Sequence, residues 1–233
     1  AWVWGYLAEF LNINVNLAHR LTSVVYDVGI GGVVYQYLKK YLPKEAIKSL
    51  WLYMINPVTI FIVSLLGFND STTIFFLLLA CFFSDYFKSK ASVVFSAISL
   101  ALSFSAKPFT FIFIPFFILR SSKKRLYLGM FIGTSILLNS YYIFGASFDD
   151  ILHLSKLLFV KTLVGSQRGT FGITQILYEL GPTFGKLSLF FSISGMVSII
   201  FIYLVYLRKL NAVEFCFIIF LVTLLLNNHI HPQ

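Results

Sequence analysis

The carboxylate best placed for chemistry is Asp70, which ends the sequence NPVTIFIVSLLGFND at residues 56–70. A second apolar run, STTIFFLLLACFF, follows it at once. A carboxylate at such a polar corner serves either as a catalytic group or as a helix N-cap that accepts hydrogen bonds from free backbone amides. The neighbouring Asn69 adds a neutral hydrogen-bonding group. We take Asp70 as the candidate catalytic residue and Asn69 as a candidate substrate-binding residue.

Two cations are candidates for binding an anionic substrate group such as phosphate. Lys107 lies between Ala106 and Pro108, where proline interrupts an apolar block and disfavours helix in the residue before it. A lysine there either meets a phosphate or extends its amine away from apolar surroundings. Arg168 lies in the glycine-flanked sequence GSQRGTFG, which suits anion binding or gating. We therefore predict that both cations bind substrate.

The last polar group of the chain is NNHIHPQ. His229 and His231 are two residues apart, which does not place them on one helical face and is a poor spacing for a shared metal ion. They either bind substrate, together with Gln233, or are simply the polar end of the sequence. No metal-ligating residue is predicted, although a divalent metal ion is left as an option.

The composition predicts an all-α fold that is a polytopic transmembrane bundle of about eight spans. Of the 233 residues, 58% are hydrophobic and only 12% are charged. Residues 1–233 are expected to form a single transmembrane domain that is an internal portion of a longer protein, with a loop at 146–185. The spans are predicted at residues 19–38, 49–66 and 71–87, twice within 91–119, and at 126–145, 187–207 and 212–228.

Basic residues cluster between these apolar segments, in the loops 39–48, 88–90, 120–125 and 208–209. Counting crossings alternately puts all four loops on one side, which the positive-inside rule makes cytoplasmic. Asp70, Lys107 and the 146–185 loop then share the outer or lumenal face. The net charge of +9 therefore indicates how the chain is oriented in the membrane and does not indicate a nucleic-acid binding surface. We expect an integral multi-pass protein of the plasma membrane or endoplasmic reticulum.

Several short motifs resemble those of the GT-C superfamily of glycosyltransferases, especially its mannosyltransferase-like branches. The motifs are an Asn-Pro opening, a Gly-x-x-Asp corner, and a Lys-Pro followed by another proline. Here they correspond to Asn56 and Pro57, Gly67 and Asp70, Lys107 and Pro108, and Pro115. Phe68 and Asn69 stand where bacterial relatives commonly have a glutamine-containing form.

The resemblance implies an inverting hexosyltransferase that moves mannose or a similar hexose from a polyprenyl-phosphate carrier to a glycan, lipid or protein acceptor. The lipid-linked sugar is then the donor, and no other cofactor is certain. Lys107, His231 and Arg168 would face the lipid phosphate, and Asp70 with Asn69 the sugar or acceptor. In the family the principal acid follows the first transmembrane helix, so it is expected upstream of residue 1.

Two alternatives from other classes stay open at this point. A polytopic transporter or lipid flippase predicts ionisable residues near mid-membrane and two repeated halves. Only Asp27 lies deep in a predicted span, and no internal repeat is evident. A non-catalytic subunit of a membrane assembly would leave the polar groups around Asp70 and Lys107 without a substrate.

Overall fold

The chain is mostly α-helical in the part that the computed structural model describes, which comprises residues 8–10, 12, 14–60, 70–87, 89–145, 197–203, 205 and 209–226. Its contacts group into two compact units, Ala1–Leu138 and Asn139–Gln233. The helices are α1 (Val15–Tyr41), α2 (Ala46–Met54), α3 (Pro57–Ile60), α4 (Asp70–Tyr86), α5 (Lys90–Ala106), a 3₁₀ helix (Pro108–Phe113), α6 (Ile114–Arg120), α7 (Lys124–Gly145) and α8 (Ala212–Leu226).

Helices α1 and α4 run in the same direction, and aromatic pairs mark the seam between them. The Tyr26 and Phe75 ring centroids are 5.5 Å apart near one end, and those of Tyr37 and Phe82 are 6.4 Å apart further along. Helix α5 runs back along α4, with Phe95 stacked on Phe83 at 5.4 Å. The first unit is therefore built on two successive helix pairs that share α4.

The ends of α5 follow from its sequence. Ser89 precedes the helix in an extended conformation, and its hydroxyl accepts a hydrogen bond from the Ser92 backbone N–H at 3.1 Å, as an N-cap should. The helix ends at Ala106 because Pro108 disfavours helical geometry at Lys107, whose φ and ψ are −146° and 119°. The break predicted at Lys107-Pro108 is present, but a 3₁₀ helix and the seven-residue α6 follow it.

Aromatic side chains fill the space between α6 and the start of α7. Phe116, Phe117 and Tyr127 are buried, and the Phe117 and Tyr127 rings are nearly parallel with centroids 6.3 Å apart. The Tyr127 hydroxyl is 3.3 Å from Ser96 Oγ, which ties α7 to α5. Burying each large ring contributes roughly 2 kcal/mol, so this cluster fixes α6 and the start of α7 within the first unit.

The described part of the second unit centres on α8, whose first turn is closed by a reciprocal cap. Asn211 Oδ1 accepts from the Glu214 backbone N–H at 2.8 Å, and Glu214 Oε2 accepts from the Asn211 backbone N–H at 3.1 Å. This exchange satisfies amides that a helix start leaves free. Tyr203 packs edge-on against the buried Phe215 with centroids 4.9 Å apart.

No helix in the described ranges has both the length and the apolar character required to cross a membrane. Helices α4 and α5 have 17 residues each, which is about 26 Å at a rise of 1.5 Å per residue and short of about 30 Å of hydrocarbon. The longer α1 and α7 interrupt their apolar runs with residues such as Asp27 and Asn139. The predicted polytopic transmembrane bundle of about eight spans is therefore wrong. The prediction of an integral multi-pass protein of the plasma membrane or endoplasmic reticulum is wrong for the same reason.

The individual boundaries show where the hydropathy pattern misled. The apolar stretch predicted as one segment at 49–66 contains α2, which ends at Met54, and α3, which begins at Pro57. Pro57 explains the interruption, because proline has no N–H and disfavours helix in the residue before it. The loop predicted at 146–185 lies outside the described residues, as does most of the segment predicted at 187–207.

Candidate functional site

Small hydroxyl residues line the face of α5 that packs on α4. Ser92, Ser96, Ser99 and Ser103 recur at intervals of three or four residues, and all four are buried. Such spacing puts them on one side of the helix, and their small side chains let the two backbones approach closely. The Ser96 hydroxyl donates to the Ala80 carbonyl oxygen at 2.9 Å. The α4–α5 pair is therefore fixed by hydrogen bonds as well as by apolar packing.

One of these hydrogen bonds brings the two principal candidate residues to the same end of the helix pair. The Ser103 hydroxyl donates to the Thr73 carbonyl oxygen at 2.9 Å. Asp70 begins α4 three residues before Thr73, about 4.5 Å along the axis, and Lys107 ends α5 four residues after Ser103, about 6 Å along. Because α4 and α5 are antiparallel, the step from Thr73 to Asp70 and the step from Ser103 to Lys107 point in the same direction. We call this the Asp70–Lys107 end.

The backbone at Lys107 is held from both sides. Its N–H donates to the Ser103 carbonyl oxygen at 3.0 Å, and its own carbonyl oxygen accepts from the Thr110 hydroxyl at 3.1 Å. Thr110 is fully buried, so this second bond is shielded from water. The Lys107 residue is half-buried. A backbone fixed in this way is suited to holding the base of a cationic side chain at one place.

Asp70 is the first residue of α4 and not the residue before it. The first turn of a helix lies at the positive end of its dipole. Thr73, one turn later, is buried, and its hydroxyl has no hydrogen-bond partner within the described part of the chain. The residues that frame this end, Thr73, Ser103 and Thr110, were missed in the sequence. The three-and-four spacing of the α5 serines was the signal available for Ser103.

The other predicted site residues lie outside the described residues. They are Asn69, Arg168, His229, His231 and Gln233. Their proximity to Asp70 and Lys107 stays a prediction. Among the residues that the structure describes, no group of three or more His, Cys, Asp or Glu side chains is placed to hold a metal ion.

At the opposite end of α4 a carboxylate is completely engaged. The side chain of Asp85 is only 4% exposed, accepts a short hydrogen bond from the Tyr37 hydroxyl, and forms an ion pair with Arg120 at 2.9 Å. Burial, followed by the hydrogen bond to Asp85, raises the pKa of Tyr37 well above its ordinary value. Because Asp85 joins α1, α4 and α6, we interpret it as structural.

Asp27 also has a structural partner. The Tyr53 hydroxyl of α2 donates to Asp27 Oδ1 at 2.5 Å, and burial together with this bond raises the pKa of Tyr53. Arg20 lies seven residues before Asp27 on the same helix, about 10 Å along its axis.

No family model, no curated protein and no solved structure matches this chain.

Proposed function

We propose that the chain is an inverting glycosyltransferase that moves mannose or a similar hexose from a polyprenyl-phosphate carrier to an acceptor hydroxyl. The observation that supports it most is the Ser103–Thr73 hydrogen bond, which sets an acidic helix start and a basic helix end side by side. The GT-C-like motifs at Asn56-Pro57, Gly67 to Asp70 and Lys107-Pro108 give the proposal its substrate class.

The reaction needs an acid and a cation near one another. A carboxylate accepts the proton of the acceptor hydroxyl while the oxygen attacks the anomeric carbon. The bond from that carbon to the phosphate oxygen breaks on the opposite face, so the configuration inverts, and the phosphate leaves with the electron pair. A cation stabilises the negative charge that develops on the leaving oxygen. The products are the glycoside and the polyprenyl phosphate, with the proton on the carboxylate.

The proposal gives Asp70 a role at the sugar or acceptor and Lys107 a role at the phosphate. The start of α4 suits Asp70, because the first turn of a helix lies at the positive end of its dipole. The fixed backbone of Lys107 suits a leaving-group cation, because a preorganised charge needs no rearrangement during the reaction. Arg168 and His231 are assigned to the phosphate, and Asn69 to the sugar or acceptor, by the resemblance alone.

The test measures transfer of radiolabelled mannose from a short-chain polyprenyl-phosphate mannose to an alkyl mannoside acceptor. Asp70→Asn should lower the rate by about 100-fold or more, the usual contribution of a catalytic carboxylate. Lys107→Gln should lower it by about 100-fold, while Lys107→Arg, which keeps the charge, should retain part of the activity. Anomeric analysis of the product should show inversion.

Matched controls are available outside the Asp70–Lys107 end. Glu45→Gln and Lys44→Gln change one charge each at exposed residues in the turn before α2, and both variants should transfer at the unmodified rate. Far-UV circular dichroism should show equal helix content in all variants. Transfer by Asp70→Asn at the unmodified rate would reduce Asp70 to a helix-terminus charge, and a product of retained anomeric configuration would contradict the inverting reaction.

A further inference from the structure

The end of the first unit remote from Asp70 collects most of its basic residues. Lys40 and Tyr37 lie near the end of α1, where Lys40 Nζ is 4.3 Å from the centroid of the Tyr86 ring and Tyr37 bonds Asp85. Arg120 at the end of α6 reaches the same Asp85. These contacts join the ends of α1, α4 and α6, and α5 and α7 each begin four residues after α4 and α6 end. We call the set the basic end; it comprises Lys39, Lys40, Lys90, Arg120, Lys123, Lys124 and Arg125.

This charge is not neutralised by the described acids around it. Asp85 is buried and already engaged by Arg120 and Tyr37. Glu45, in the turn that follows α1, is exposed, and Asp70 begins α4 at the end of that helix opposite the basic end. The six basic residues other than Arg120 are all exposed. The basic end therefore presents a large positive excess to its surroundings.

The helix dipoles explain the positions of only some of these basic residues. Lys39, Lys40 and Arg120 lie in the last turns of α1 and α6, where a positive charge is favourable. Lys90 begins α5, and Lys124 and Arg125 begin α7, where the dipole repels a cation. Neither the order of the helices nor their termini explains why these three residues are basic, whereas an external anion does.

Apolar side chains are exposed among these lysines. Tyr41 is 51% exposed, Leu42 is 55% exposed and Phe87 is 45% exposed, and Leu126 is exposed directly after Arg125. A ring of cations around exposed aromatic and leucine side chains is the composition of protein surfaces that adsorb to bilayers. Single-stranded RNA is the less suitable partner, because leucine side chains do not stack on bases as aromatic rings do.

We propose that the basic end docks on the surface of an anionic phospholipid bilayer. The lysines meet the phosphate and carboxylate headgroups, while Tyr41, Leu42 and Phe87 contact the boundary between headgroups and acyl chains. Docking of this kind requires no helix that crosses the bilayer. The proposal is independent of sugar transfer, because it uses none of the residues at the Asp70–Lys107 end.

The experiment measures flotation of the full chain with vesicles of phosphatidylcholine alone and with vesicles containing roughly a third phosphatidylserine. The chain should partition more strongly onto the anionic vesicles. Raising the salt concentration from about 0.1 M to about 1 M should remove the difference, because the screening length falls from about 10 Å to about 3 Å. Binding to the neutral vesicles reports apolar adsorption alone and serves as the reference.

A matched pair of variants locates the surface. Lys124→Gln at the basic end should weaken partitioning onto anionic vesicles by about fivefold, and the triple variant at Lys90, Lys123 and Lys124 by about 100-fold. Arg20→Gln makes the same charge change at an exposed residue near the start of α1, at the other end, and should change partitioning by under about twofold.

Three results would overturn the proposal. The first is equal partitioning of the unmodified chain onto neutral and anionic vesicles at low salt. The second is a loss in Arg20→Gln as large as that in Lys124→Gln. The third is release of the chain from anionic vesicles by a single-stranded RNA oligonucleotide at equal total charge, which would assign the basic end to nucleic acid. Unchanged far-UV circular dichroism shows that the variants are folded.

Discussion

Helix α1 is held to its two neighbours by the same kind of bond in two different settings. On the α4 side, Tyr37 donates to Asp85, which also pairs with Arg120 at 2.9 Å. On the α2 side, Tyr53 donates to Asp27 at 2.5 Å, and within the described residues no cation lies at ion-pair distance from Asp27. As whole residues Asp85 and Asp27 are both half-buried, and the side chain of Asp85 is 4% exposed.

The difference shows what burial demands of a carboxylate. Asp27 accepts one hydrogen bond, from Tyr53, and no cation among the described residues pairs with it. A carboxylate as deeply buried as Asp85 loses its hydration and must be compensated by both a cation and a hydrogen bond. The α4 side should therefore be the more sensitive of the two to any change that removes a partner.

The largest effect is expected from removing the cation. Arg120→Met leaves the Asp85 carboxylate buried without its counter-charge and should lower the free energy of unfolding by about 3 kcal/mol. Asp85→Asn should cost less, because Arg120, with 29% of its side chain exposed, can turn to water. Urea unfolding followed by circular dichroism measures both, with Lys123→Met as the control that changes one exposed charge nearby. A larger loss in Asp85→Asn than in Arg120→Met would contradict this account of burial.

The two tyrosines give the next test, with the same atom deleted on each side of α1. Tyr37→Phe leaves an oxygen of the buried Asp85 without its donor and should cost about 2 kcal/mol. Tyr53→Phe should cost about 1 kcal/mol, since water can replace the hydroxyl at the half-buried Asp27. Equal losses in the two variants, measured by the same unfolding titration, would show that burial does not set the strength of these bonds.

The sequence predicted the local breaks of this structure better than its long-range pairs. Pro108 acts on the residue next to it, so the end of α5 at Ala106 was predictable from a few letters. Asp85 was not singled out, because its partners Tyr37 and Arg120 are 48 and 35 residues away and the pattern around it is only apolar. The membrane spans were predicted from runs of apolar residues. The lengths of the helices are set instead by breaks such as those at Pro57 and Pro108.

Only the polar corner of the candidate site was predictable. Asp70 and Lys107 were identified because each follows an apolar run next to a turn-forming residue. The Ser103–Thr73 bond that brings their helix ends together was not, since it depends on which faces of α4 and α5 meet. Serine and threonine in an apolar helix do not indicate a contact until the helix that packs against them is known.

Glycines of α1 offer a smaller and purely steric comparison of the same two interfaces. A Cβ added at Gly29 would lie 2.6 Å from Phe75 Cε2, and the Phe75 ring is itself packed against Tyr26 at 5.5 Å. Gly29→Ala should therefore destabilise by about 1 kcal/mol, after the gain in helix propensity is subtracted.

Two neighbouring glycines provide the controls for that substitution. At Gly31 the nearest atom is Met54 Sδ at 3.0 Å, the far part of a flexible side chain, so Gly31→Ala should be close to neutral. At Gly32 nothing lies within 4 Å, so Gly32→Ala should stabilise by about 0.5–1 kcal/mol. Thermal unfolding that ranks these variants in any other order would contradict tight packing on the α4 side.

Proton linkage gives a further test of the two tyrosine–aspartate bonds. Burial and the hydrogen bond to an aspartate raise the pKa of both Tyr37 and Tyr53 above the value of 10.0 for an unperturbed tyrosine. A group whose pKa is raised by folding contributes its full stabilisation below pH 10.0, and the contribution is lost as the pH rises through the folded-state pKa. The free energy of unfolding should therefore fall above pH 10.0.

The expected slope is up to about 1.4 kcal/mol per pH unit for each tyrosine that stays protonated in the fold. This slope counts protons and does not depend on how far each pKa is raised. Tyr37→Phe and Tyr53→Phe should thus reduce the alkaline slope equally, although they differ in stability at neutral pH. Urea titrations between about pH 9 and about pH 11 measure it. If Tyr53→Phe keeps the whole slope, Asp27 does not hold the proton of Tyr53. The bond on the α2 side of α1 would then be of another kind from the bond on the α4 side, and not merely a weaker one.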